Sequence, residues 1–114
     1  MTEAEIEHSL LWSKKMLLEG QTNRRLLDVL LSEFRNLEQA FVIDWIPEQG
    51  EDIYTIAVSE EIIATVEIPR DENTREKPLI EITSFERYER DAKNMTKATR
   101  RKLSTIKKLL KDNA

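Results

Sequence analysis

Lys97, Arg100, Arg101, Lys107, Lys108 and Lys111 stand at offsets 0, 3, 4, 10, 11 and 14, with Ser104 at offset 7. At 100° per residue these positions share one side of a helix. Such a row of cations can follow a phosphate backbone and release its counterions, which is the sequence-independent part of nucleic-acid binding. It can also steer the chain onto an acidic protein surface. A third role needs no ligand, because cations near a helix C-terminus offset the macrodipole and keep that face solvated. No aromatic residue follows Tyr88, so base stacking has no support. The apolar side opposite the cations, Leu103, Ile106 and Leu110, carries no Trp or Phe, which argues against a membrane-surface helix.

Material for catalysis is scarce. The single histidine, His8, has Glu5 and Glu7 nearby, but Glu7 is adjacent in sequence and points about 100° away on a helix. No second histidine or cysteine exists to complete a common zinc set. Two glycines in the whole chain exclude a glycine-rich phosphate loop. Asp71 and Asn73 have the spacing that opens an EF-hand loop, yet Arg75 and Glu76 stand where that loop needs a ligand and a glycine. Asp44, Glu67 and Glu81 are the carboxylates available for paired acid–base work, and their alternation places them on the water side of strands. With one histidine, the serines and threonines lack a local base. These observations predict a non-enzymatic protein with no cofactor and no metal. Trp12 and Trp45 sit at element edges, where core packing is the default and an interface anchor the alternative.

The charge is unevenly spread along the 114 residues. Residues 1–95 carry 11 Lys and Arg against 21 Asp and Glu, a balance of −10, while residues 96–114 carry seven against Asp112, a balance of +6. An acidic body with a basic terminal segment is the main large-scale signal. The N-terminus is acidic and lacks the pattern of a secretory signal, and apolar runs such as Phe41-Val42-Ile43 are far short of a membrane span. A cytoplasmic protein without membrane contact is the expectation.

The elements that would position the cations follow from periodicity. Thr2 and Glu5 have capping-box spacing ahead of a helix over 3–18, with Gly20 as its terminator. A second helix, capped by Thr22 or Asn23, runs to about Leu37. Alternating segments then predict strands over 41–47, 53–58, 62–69 and 79–83, with a turn around Gly50 and a polar loop over 70–78. Thr83 and Glu86 repeat the capping-box spacing at the start of the last helix. Phe85, Tyr88 and Ala92 recur 18 residues later as Leu103, Ile106 and Leu110, which is five whole turns. The matching phase predicts one helix over about 85–111, with a kink near Asn94 as the alternative. Such a helix would be roughly 40 Å long and would overhang a body of roughly 34 Å, leaving its apolar stripe uncovered.

The reading is therefore α+β and a single domain over 1–114, in the order α-α-β-β-β-β-α. A helical hairpin (1–39) and a long amphipathic C-terminal helix (85–114) pack on one face of a four-stranded, mainly antiparallel sheet (40–84). The order carries no family's motif set. The expected function is a small interaction module, such as a regulatory subunit, adaptor or inhibitor. Leu103, Ile106 and Leu110 would supply burial, and Lys97, Arg100, Arg101, Lys107, Lys108 and Lys111 would attract an acidic partner or a second copy. A nucleic-acid-binding accessory role for the same basic face is the alternative.

Overall fold

The computed structural model describes residues 2–92 and 95–112. Thr2 caps α1 (Glu3–Leu18) by accepting from the Glu5 backbone N–H at 3.2 Å. The helix closes on Gly20, which takes φ 71° while Gly20 N–H donates to Leu17 and Gln21 N–H to Met16. That pattern satisfies carbonyls left over at a helix end and needs a left-handed residue, for which glycine has no steric cost. Asn23, itself left-handed at φ 42°, starts α2 (Arg24–Glu33) by accepting from Leu26 N–H. The second helix ends about a turn short of Leu37.

Four strands follow: β1 (Phe41–Glu48), β2 (Glu51–Ala57), β3 (Ile62–Pro69) and β4 (Leu79–Ser84). They lie in sequence order, each antiparallel to the last. Gly50, at φ 85°, turns the first hairpin where Glu48 pairs with Glu51. Ser84 then caps α3 (Phe85–Asp91) through Arg87 N–H, the role expected of Thr83. After it comes α4 (Lys97–Asp112), whose first turn is held by Thr99 N–H donating to Thr96 Oγ1 at 3.2 Å.

The sheet is covered on both faces, not on one. Cross-strand neighbours share a face, so the row Phe41–Ala57–Ile63 lies on one side and Val42–Ile56–Ala64 on the other. The first row packs with Leu10, Phe85, Leu103, Ile106 and Leu110. The second side, with Val66 and Ile68, packs with Leu17, Leu26, Leu27 and Leu30. Helices α3 and α4 thus cover one face, α2 covers the other, and α1 contributes Leu10 to one core and Leu17 to the other. On the α4 face the cover is incomplete. Two rows further along the strands, Asp44–Thr55–Thr65–Glu81 and Ile46–Ile53–Glu67–Leu79, belong to neither core, and Leu79 is 61% exposed.

The single helix over 85–111 is replaced by two. α3 ends at Asp91, with Ala92 N–H still reaching Tyr88, and α4 begins at Lys97. The proposed kink at Asn94 lies outside the described residues. The two helices serve different strands: α3 lies against β3 and β4, while α4 reaches β1 at the opposite edge. Both helices turn their stripes into the same core, so the 18-residue phase match holds without a continuous helix. No overhang results, and Leu103, Ile106 and Leu110 are fully buried by their own chain.

If both faces are core, truncation on either should unfold the domain. Ile63→Ala and Ile56→Ala, on opposite faces, should each cost about 2–5 kcal/mol in urea unfolding, whereas a one-sided sheet would leave one of them near zero.

Candidate functional site

Helix α4 is divided lengthwise. Leu103, Ile106, Leu109 and Leu110 are buried, and Lys97, Arg100, Arg101, Ser104, Lys107, Lys108 and Lys111 are exposed. Leu103, Ile106 and Leu110 were expected to meet a partner; the structure spends them on the core, which corrects that part of the site. The cations remain on the surface, now on a helix whose other side is fixed by packing.

Lys107 and Lys108 have acidic neighbours within the chain. Lys107 Nζ lies 2.9 Å from Glu89 Oε1 and 5.7 Å from the centre of the Phe85 ring, and Lys108 Nζ lies 3.9 Å from Glu3 Oε1. Both pairs are solvent-exposed and add little to stability. The Lys108–Glu3 contact places the acidic first turn of α1 beside the C-terminal half of α4. Lys97, Arg100 and Lys111 form no ion pair among the described residues.

Lys102 was not among the expected site residues and is the unusual member of the helix. It points inward and donates from Nζ to the Ile43 carbonyl at 3.2 Å. A register shift between Val42 and Asp44 leaves Ile43 out of the ladder pairing, so this carbonyl needs another partner. Burial pushes the Lys102 pKa down, and Asp44 nearby acts the other way. The ammonium sits beneath a groove of about 430 Å³ between α1, α4 and β1, lined by Ile6, Ser9, Ser13, Ile43, Thr99 and Lys102 among others.

A second cluster lies on the opposite face at the open edge of β1. Trp45 is 56% exposed and stacks on Tyr54, with centroids 6.4 Å apart and planes 13° apart. The indole N–H donates to Asp52, which also pairs with Arg70 at 3.2 Å, and Asn23 Nδ2 donates to the Tyr54 hydroxyl at 2.6 Å. Burial first, then Asp52, raise the Tyr54 pKa, while the Asn23 bond lowers it. Core packing was the default for both tryptophans, and neither follows it: Trp12 is 58% exposed on the outer side of α1. The Trp45–Tyr54 pair was readable in principle. With the turn at Gln49-Gly50, residues whose numbers sum to 99 face one another.

The remaining expected candidates stay apart. His8 is exposed, and among the described residues no three His, Asp or Glu side chains are grouped to hold a metal. Asp71 accepts from Asn73 N–H and so serves its own turn. Asp44, Glu67 and Glu81 do share one face of the sheet, in the two uncovered rows. Among the described residues no helix is long and apolar enough to cross a membrane. Compared with protein-family models, curated proteins and solved structures, the chain matches none.

Two measurements follow from these environments. The folded state binds the Lys102 proton less tightly than the unfolded chain does, so its contribution to stability rises with pH between the folded and unfolded pKa values. With ¹³C-methylated lysines followed by NMR, one resonance should titrate below the rest and vanish in Lys102→Arg. Separately, both indoles should be open to iodide quenching in the native state, and a protected component would contradict their exposure.

Proposed function

We propose that this protein is a small, non-enzymatic, cytoplasmic interaction module, a regulatory subunit, adaptor or inhibitor, that docks the outer side of α4 on an acidic protein surface. The observation that carries this reading is the division of α4. Its inner side is locked into the core by Leu103, Ile106, Leu109 and Leu110, so Lys97, Arg100, Arg101, Lys108 and Lys111 are presented from a rigid element. A pre-positioned charge row loses less conformational entropy on binding than one on a mobile tail. Burial of the apolar stripe changes the chemistry expected of the contact: it is electrostatic, with the aliphatic stems of Lys and Arg supplying what apolar area there is.

Protein is favoured over nucleic acid by the flanks of the row. Glu89 and Glu3 stand against Lys107 and Lys108, and a polyphosphate laid along the helix would meet these carboxylates. A protein surface can place its own cations or hydroxyls opposite them.

The test is affinity capture from the source cell with two baits, the natural chain and Lys97→Glu/Arg100→Glu/Lys111→Glu. An acidic protein retained by the first and lost by the second, with unchanged thermal unfolding, is the expected outcome. Identical captures by both baits would overturn the reading. Nuclease-sensitive material bound only by the natural chain, weakening a few-hundredfold between about 50 and 200 mM salt, would transfer the site to the nucleic-acid alternative.

A further inference from the structure

The uncovered half of the sheet lies on the same face as α4, immediately beyond it along the strands. Its exposed apolar side chains, Ile46 on β1 and Leu79 on β4, stand at opposite edges of one row, with the half-buried Ile53 and Glu67 between them. Around them stand Asp44, Glu48, Glu51, Glu67 and Glu81, none of which forms an ion pair among the described residues. No Lys or Arg occupies these rows, and cations stand at their borders: Lys77 beside Glu67 and Leu79, Lys102 near Asp44, and Arg70 at the Glu51 carbonyl. This is an unpartnered sheet face with apolar side chains at its two edges and carboxylates spread across it, Glu67 among them on a central strand. The outer side of α4 is its complement in charge.

We infer that this face is covered by α4 of a second copy, in a two-fold symmetric dimer. The symmetry follows from the arrangement within one chain. The α4 face of the sheet has one half roofed and the next half open. A two-fold axis lying in the plane of the interface and perpendicular to the strands sets the roofed half of one sheet opposite the open half of the other. Each α4 is then held between two sheets, its leucine side on its own and its cationic side on the partner's. The same contact is made twice and the assembly closes at two.

Sizes agree. Four strands spaced ~4.8 Å give an open half roughly 19 Å wide. The 16 residues of α4 extend ~24 Å and span it. Lys97 and Arg100, one turn apart on α4, can lay their aliphatic stems on Leu79 while their charges reach Glu67 opposite it and Glu81 two residues along β4. An interface of this size and polarity belongs with weak, salt-sensitive associations.

This inference rests on the reading that the outer side of α4 is the contact surface, and the two can fail separately. The experiment is sedimentation velocity on the full chain over about 10 μM to 1 mM, at about 50 and 500 mM salt. The natural chain should pass from monomer to dimer with concentration at low salt and remain monomeric at high salt. Lys97→Glu/Arg100→Glu and Glu67→Lys/Glu81→Lys should each stay monomeric, and an equimolar mixture of the two should dimerise, because the mixed pair restores both contacts. A natural chain that is monomeric throughout would overturn the dimer while leaving capture of an acidic protein by α4 intact. A dimer that ignores either reversal, or a mixture that stays monomeric, would overturn it as well. Thermal unfolding of each variant confirms that folding is unchanged.

Discussion

Ile63 and Ala64 are consecutive residues of β3, and both are completely buried, on opposite sides of the sheet. A sheet with apolar side chains on both faces cannot leave either in water, since each buried aliphatic side chain accounts for roughly 1.5–3 kcal/mol of transfer free energy. Everything else in the fold answers that constraint. The chain has to deliver a helix to each face, and it does so from both ends: α2 arrives before the sheet is made, and α3 and α4 after it. Among the described helices, α1 takes part in both cores, through Leu10 at its middle and Leu17 near its end. It is the element that ties the two layers together past the β1 edge.

The break between α3 and α4 has the same origin. The chain leaves β4 at one edge of the sheet, whereas the apolar surface still in need of cover extends to Phe41 and Ile43 on β1, at the other edge. α3 lies against β3 and β4, and α4 supplies the cover at β1. The start of α4 is held by the Thr96 cap and its length by burial of Leu103, Ile106, Leu109 and Leu110.

What could be read from the sequence was local. The bounds of α1, its Thr2 cap and its Gly20 terminator depend on neighbours in the chain, and so do the Gly50 turn and the four strands. The two-sided sheet also left a trace, in Phe41-Val42-Ile43, Ile56-Ala57-Val58 and Ile62-Ile63-Ala64. Uninterrupted apolar triplets are what strands buried on both faces show, whereas a one-sided sheet alternates. Periodicity could not separate one helix from two, because helices that face the same core keep the same phase. The cationic row was legible because it is a property of one helix. The burial of its leucines was not, since it depends on where that helix lands. Lys102 was hidden for a related reason: its partner is a carbonyl freed by an irregularity in β1, 59 residues away.

Asn23 links two parts of the molecule that are otherwise distant in sequence. Its carboxamide oxygen begins α2, and the nitrogen of the same group holds the hydroxyl of Tyr54, on whose ring Trp45 stacks. Aspartate in its place would keep the cap and lose the donor; serine would keep a shorter cap and lose the reach. The first turn of α2 and the stacking of the Trp45 indole are therefore joined through one planar amide. Fraying of that helix start releases Tyr54 and with it the support beneath Trp45, so the emission of this tryptophan is a built-in gauge of whether the helix on that face of the sheet is in place.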